Sequence, residues 1–322
     1  MKIPFKLLRL IKKNKSFLIV SHINPDGDST GSCIALALGL KKLGKHVYIL
    51  SRDPVLDVLK FLPCSDLINN KTPSMDFDVL LLLDCDTLER AGFSGRSRKH
   101  LKAGVTAVID HHQTYEKNKS YVSWSCPGAS ATGELIYKLL KALHVPIDKK
   151  IAINLYTAIF MDTGGFRFSN TNIETLMIAS KLIKAGANTW EITKEVYDNI
   201  SLSSIKLLTQ ALLTLEKKGR IAWIIVTRKM FKNTNTSAQD TENFADHPRR
   251  IKGVEVGVFL REEGKTSYKV SLRSKGAVNV ADVAKTFGGG GHASAAGCKL
   301  NGTLREVKGK ILKAVRKAVS KK

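Results

Sequence analysis

The chain has 322 residues, 43% apolar and 25% charged, which gives room for two domains with real cores and excludes a disordered chain. Its 52 Lys and Arg against 28 Asp and Glu leave a formal charge of +24, implying a polyanionic partner such as nucleic acid, nucleotides or an anionic membrane surface. No apolar run approaches bilayer-spanning length, and the five cysteines (Cys33, Cys64, Cys85, Cys126, Cys298) form no C-x-x-C pair, so they read as reduced thiols of a soluble, cytoplasmic protein.

The basic N-terminus reads as an amphipathic helix rather than a signal peptide. Phe17–Val20 is a first strand, ending in the loop Ser21-His22-Ile23-Asn24-Pro25-Asp26-Gly27-Asp28. Ser29 or Thr30 is expected to cap a helix from Gly31 to Leu43. His46–Leu50 is a strand, Pro54–Phe61 a short helix, and Val79–Leu83 an apolar strand ending in Asp84-Cys85-Asp86. Thr106–Ile109 follows, tipped by Asp110-His111-His112. Apolar strands alternating with helices imply an α/β fold with a parallel sheet covered on both faces.

Helical spacing then dominates over Ser130–Leu143, Asp148–Phe160, Ile173–Lys184 and Leu202–Glu216, with Asp162 at a helix end before a glycine-rich loop. The expected division is a catalytic domain over 1–200, a helical linker over 201–219 and a smaller α/β domain over 220–322. In the latter, Ile221–Thr227, Val254–Leu260 and Tyr268–Leu272 read as strands, Asn233–Asn243 as a loop and Val280–Lys285 as a short helix. A closing amphipathic helix carries Leu304, Val307, Ile311, Val315 and Val319. Residues 201–322 hold 25 Lys and Arg against 9 Asp and Glu, so polyanion capture is expected there.

Ligands of open α/β sheets gather beyond the carboxyl ends of the strands. His22, Asp26, Asp28, Asp84 and His111 all follow strand ends. Converging carboxylates repel and raise one another's pKa unless cations neutralise them. Two divalent ions would do so, and mixed carboxylate and imidazole ligation suits Mn²⁺, with Mg²⁺, Co²⁺ and Fe²⁺ as alternatives. A carboxylate shared by both ions can support a bridging hydroxide for in-line attack on phosphorus, and Asp84, alone at a rigid strand end, is the expected bridge. Taken singly, Asp26 and Asp28 read more readily as cap or turn residues than as ligands. In the second domain, the run Gly289, Gly290, Gly291 before His292 can offer backbone N–H groups to a phosphate. Arg273 supplies a planar fork and Ser274 a hydroxyl, with Arg90 and Arg167 as further cations.

His22-x-x-x-Asp26-x-Asp28, Asp84, Asp110-His111-His112 and Asp162 resemble the four motifs of the DHH phosphoesterase superfamily. Gly288–Gly291, His292, Ala295, Ala296 and Gly297 resemble the signature of its DHH-associated C-terminal domain. The resemblance covers nearly the whole chain, and motif order and length are most similar to the group of bifunctional oligoribonucleases and pAp phosphatases. It implies a parallel-sheet catalytic domain, a smaller α/β domain, and an active site in the cleft between them. It implies one metal on His22, Asp26 and Asp84, and another on Asp28, Asp84, His111 and Asp162. His112 would touch the scissile phosphate or orient the nucleophile, while Asp110 and Asp86 hold ligands in place.

The expected function is metal-dependent hydrolysis of short single-stranded RNA or DNA oligonucleotides, including linear dinucleotides such as pGpG, to mononucleotides, and of pAp to AMP. The resemblance involves no membrane and leaves a homodimer open. A polyphosphate or pyrophosphate hydrolase and a non-catalytic basic RNA-binding protein are the alternatives.

Overall fold

Phe17-Leu18-Ile19-Val20 is apolar at odd and even positions alike, so a strand built from it must be covered on both faces. All four side chains are buried. The computed structural model describes residues 2–98, 101–112 and 120–320. The chain divides into two units, Met1–Asn199 and Ile200–Lys322.

In chain order the first unit runs α1 (Phe5–Lys13), β1 (Ser16–Ser21), α2 (Gly27–Lys42), β2 (His46–Leu50), β3 (Ile68–Asn69), β4 (Phe77–Leu83), α3 (Gly95–Arg98) and β5 (Ala103–Asp110). It continues through β6 (Val122–Ser125), α4 (Thr132–Ala142), α5 (Lys149–Asp162), α6 (Ile173–Lys184) and α7 (Thr189–Thr193). Among the described residues the strands form one parallel sheet in the order β3-β2-β1-β4-β5-β6. Phe17, Ile19, Leu81 and Ile109 pack beneath α2, α4 and α5, whereas Leu18, Val20, Leu82 and Val108 face Leu88, Ala91 and Phe93. One face is therefore covered by helices and the other mainly by the loop after β4. Each fully buried Leu or Ile contributes about 1.5–3 kcal/mol.

Helix α2 lies against α5 so closely that a Cβ on Gly31 would fall 2.4 Å from the Asn154 carbonyl oxygen. That oxygen is backbone and cannot swing aside. Gly31→Ala is expected to destabilise the protein by about 1–3 kcal/mol, as overpacked core substitutions do. A urea midpoint shift equivalent to less than about 0.5 kcal/mol would show instead that α2 and α5 can part freely.

The second unit runs α8 (Leu202–Leu212), β7 (Glu216–Lys218), β8 (Ile221–Val226), α9 (Arg228–Thr234), α10 (Asp246–Arg250), β9 (Val256–Gly264) and β10 (Ser267–Ser274). It ends with α11 (Val280–Lys285), β11 (Gly290–Gly291), β12 (Ala295–Asn301) and α12 (Leu304–Ser320). Its sheet is mixed, in the order β11-β12-β10-β9-β8-β7, with only β8 and β9 parallel among the described pairs. Val258, Val270 and Leu272 pack with α11 and α12 on one face. Ile224, Val226 and Phe259 pack with Leu207 and Ala211 of α8 on the other.

Several sequence expectations need correction. Helix α2 starts at Gly27, with Asp26 as its cap accepting from the Ser29 N–H, not at Gly31 under Ser29 or Thr30. Pro54–Phe61 makes only a 3₁₀ turn at Asp57–Leu59, because Pro63 and left-handed Cys64 (φ 65°) close the stretch. The helix expected to reach Glu216 stops at Leu212, and Glu216 belongs to β7. Residues 201–219, expected as a linker, pack into the second unit through α8. The expected loop Asn233–Asn243 contains the end of α9 and a 3₁₀ turn at Ala238–Thr241. Among the described residues no helix is long and apolar enough to cross a membrane.

Candidate metal centre

β1 and β4 are neighbours in the first sheet, yet β1 continues to β2 on one side and β4 to β5 on the other. This is a topological switch point, where the loops part and leave a crevice. Ser21 pairs with Leu83 and Leu83 with Ile109, so His22, Asp84 and Asp110 leave the sheet side by side. Asp84 turns at once into left-handed backbone (φ 57°), held by its N–H donating to the Ile109 carbonyl. A non-glycine residue in that region is uncommon, and here it sits at the centre of the cluster.

His22 Nε2 lies 3.3 Å from Asp84 Oδ2 and 3.8 Å from Asp26 Oδ1. His111 Nε2 lies 3.5 Å from Asp84 Oδ1, 3.6 Å from Asp28 Oδ2 and 3.8 Å from Asp162 Oδ2. The two oxygens of Asp84 thus face two different histidines. Direct N–H···O bonds would measure about 2.7–3.2 Å. Ligands each about 2.0–2.2 Å from one ion lie about 2.8–3.6 Å apart at octahedral to tetrahedral angles. The observed separations match, or slightly exceed, the spacing of atoms around an ion. The donor atoms fall into two groups that fit divalent cations, His22, Asp26 and Asp84 in one and Asp28, His111 and Asp162 in the other, with Asp84 Oδ1 3.5 Å from His111 Nε2.

Electrostatics agrees. Burial pushes the Asp28 carboxyl well above its ordinary value, and Asp84 and Asp162 add to the push against His111. Asp162 is raised to about 6, chiefly by burial, with Asp26 and Asp84 contributing. Burial alone would lower His111, but Asp162, Asp84 and Asp28 outweigh it and hold the imidazole at about 9. Cations in the cluster would remove this mutual opposition.

The remaining residues divide into two groups. Asp110 is fully buried, and its Oδ1 accepts from His112 Nδ1 at 2.6 Å and from the His112 backbone N–H. Burial would raise Asp110, yet His112 holds it at about 2, so the carboxylate is ionised and fixes the ring. Asp86 is buried against Arg90, with Nη1 to Oδ1 at 3.4 Å, and the Arg90 carbonyl accepts from the Ile23 N–H beside His22. Arg167 is exposed, lies over the Tyr197 ring and donates to the Gly164 carbonyl.

In the second unit Arg273 pairs across the ladder with Ala295, and the His292 N–H donates to the Ala295 carbonyl, so both stand at one end of the sheet. Arg273 Nε lies 3.6 Å from Asp246. Ser274 falls on the opposite face of β10, buried, its hydroxyl donating to Glu255, and is not brought together with Arg273. A Cβ on Gly289 would meet the Gly297 carbonyl at 2.2 Å, and one on Gly291 the Ala295 carbonyl at 2.5 Å. Close packing on β12 thus requires both glycines, while Gly290 borders open space.

Sequence reading missed Thr132 and Asn170. The Thr132 hydroxyl donates to Asp84 Oδ1 at 2.9 Å. Asn170 Nδ2 donates to the Ser130 carbonyl at 2.9 Å and to Asp162 Oδ2 at 3.3 Å. Thr132 is remote in sequence from Asp84, whereas Asn170 lies only eight residues beyond Asp162. The one available signal was a hydroxyl residue at an expected helix start.

Residues 16–159 match the DHH family, N-terminal domain, and residues 221–321 match the DHHA1 domain. The chain is 32% identical over 306 residues to the bifunctional oligoribonuclease and PAP phosphatase NrnA of Thermus thermophilus, covering 94% of this chain and 90% of that one. An exopolyphosphatase-related protein from Bacteroides fragilis has the same fold, with a TM-score of 0.88 at 29% identity over 97% and 95% of the two chains. RecJ from Thermus thermophilus in complex with Mn²⁺ shares the fold at a TM-score of 0.51 and 14% identity, over 97% of this chain and 54% of that one. Fold and site together define a metal-dependent hydrolase of phosphoester bonds. The chain belongs to the DHH family, in the group of the bifunctional oligoribonucleases and PAP phosphatases.

Proposed function

We propose that this protein hydrolyses short single-stranded oligonucleotides, linear dinucleotides such as pGpG among them, to mononucleotides, and pAp to AMP, in the cytoplasm and with Mn²⁺. The observation that carries this reading is Asp84, whose two oxygens face His22 on one side and His111 on the other. When bound, two divalent ions supply Lewis acidity toward phosphate and lower the pKa of water. Asp84 would belong to both ions, His22 and Asp26 to one, and Asp28, His111 and Asp162 to the other. Asp110 Oδ1 fixes the His112 ring through Nδ1, which leaves Nε2 to touch the scissile phosphate or orient the nucleophile. The family relative's name, an oligoribonuclease and PAP phosphatase, supports the substrate class. So does the excess of 25 basic over 9 acidic residues in 201–322.

The decisive assay incubates the protein with Mn²⁺ and labelled di- to long oligonucleotides, pAp and polyphosphate. Dinucleotides should give mononucleotides and pAp should give AMP. Phosphate release from polyphosphate with nucleotides untouched would overturn the reading.

Arg273, His292 and the glycine run are the proposed grip on the substrate. A guanidinium fork on phosphate forms strong charge-assisted bonds. Arg273→Ala should therefore raise KM for a dinucleotide about tenfold or more, with Mn²⁺ affinity unchanged. An unchanged KM would remove Arg273 from the grip.

A further inference from the structure

We propose that Thr132, at the first turn of α4, is a positioning residue that presets Asp28 and Asp84 for metal; this rests on the metal-centre reading above. Helix α4 opens on Ala131, which offers no side-chain cap. Its first free N–H groups go instead to a carboxylate 104 and 105 residues away. The Thr132 N–H donates to Asp28 Oδ2 at 2.7 Å and the Gly133 N–H to Asp28 Oδ1 at 2.8 Å. Ser32 adds a second donor to Oδ1, at 3.1 Å.

A carboxylate oxygen has two lone pairs in its plane. Asp28 Oδ1 has both engaged, by Gly133 and Ser32. Asp28 Oδ2 has one engaged, by Thr132, and is the oxygen 3.6 Å from His111 Nε2. The helix start thereby decides which oxygen of Asp28 is left for a cation. The Thr132 hydroxyl does the same for Asp84. It occupies one lone pair of Oδ1, the oxygen 3.5 Å from His111, and touches nothing on Oδ2, which faces His22. Thr132 is itself fully buried, so water cannot replace its hydroxyl without local rearrangement. One residue thus holds, through two of its atoms, two carboxylates from β4 and α2 that would otherwise repel.

The test is Mn²⁺ binding by calorimetric titration of the chelator-stripped full-length protein, with circular dichroism to confirm folding. Groups that orient metal ligands typically account for about 10–100-fold in affinity. Thr132→Val keeps the shape and deletes the hydroxyl, and should weaken at least one Mn²⁺ by that factor. Thr132→Ser restores the hydroxyl and should bind within about threefold of wild type. Should Thr132→Val not fold, Thr132→Ala against Thr132→Ser makes the same comparison. Wild-type affinity in the Val or Ala variant, or a Ser variant as weak as either, would overturn the assignment. A purely structural role would lower metal-free stability and leave affinity unmoved. A wild-type protein that takes up no Mn²⁺ would overturn the metal-centre reading itself, whatever Thr132 does.

Discussion

Asp84→Asn is expected to lower kcat by at least three powers of ten while leaving the fold intact. Asparagine is among the residues that best tolerate left-handed backbone, so the φ of 57° at this position is kept. The charge is lost, and one of the two oxygens becomes an NH₂ group that cannot ligate a cation. Whichever way the amide turns, it faces either His22 or His111 with the wrong atom. It also removes the only negative charge that both proposed ions would share. Three powers of ten correspond to about 4 kcal/mol in the barrier. The check is single-turnover kinetics with metal content measured on the same sample. Near-wild-type turnover with metal content unchanged would remove Asp84 from its proposed role.

Stripping the metal should abolish turnover and also make stability fall as pH rises from 6 to 9. Between pH 6 and 9 the sign follows from His111, while Asp162 acts just below that window. Asp162, ordinarily at 3.8, is raised to about 6 by burial and by the Asp26 and Asp84 carboxylates, so folding loses stability as pH climbs between those values. His111, ordinarily at 6.5, is held at about 9 by its carboxylate neighbours despite burial. Its favourable contribution is complete below 6.5 and lost as pH rises through 9. Asp110 works oppositely, being depressed to about 2 by His112 against burial, but its contribution disappears only below its ordinary 3.8. Cations displace the protons, so their affinity rises with pH and the trend should flatten or reverse once they are bound. An ion at a thousand times its Kd adds about 4 kcal/mol, roughly 10 °C in Tm for a unit of this size. Thermal melts at pH 6 and 9, with chelator and with Mn²⁺, measure both effects. A chelated protein as stable at pH 9 as at pH 6 would contradict them.

The strands that carry the site were legible because their inner runs, Phe17–Val20, Val79–Leu83 and Ala107–Ile109, are apolar at every position, which few other structures tolerate. Their polar tips stood out against that background. β6 was not legible: Val122-Ser123-Trp124-Ser125 alternates weakly and is short. The start of α2 was misplaced because Asp26 is both the helix cap and a neighbour of His22, so one residue serves two demands. The clamp from α4 was invisible, since Ala131 is a poor cap and the carboxylate that replaces it lies more than a hundred residues away. Ser274 illustrates another limit. Adjacent residues of a strand face opposite sides, and sequence proximity to Arg273 did not place its hydroxyl on the same face. The glycine run suggested a phosphate cradle, whereas close packing on β12 already requires Gly289 and Gly291.

The most direct measurement is anomalous diffraction at the manganese edge from crystals of the full chain grown with Mn²⁺. Two peaks are expected, about 3.5–4 Å apart as in other two-metal sites. One should lie among His22, Asp26 and Asp84, the other among Asp28, Asp84, His111 and Asp162, with Asp84 between them. A single peak, or peaks that leave Asp84 unligated, would contradict the dinuclear centre on which the proposed phosphoester hydrolysis depends.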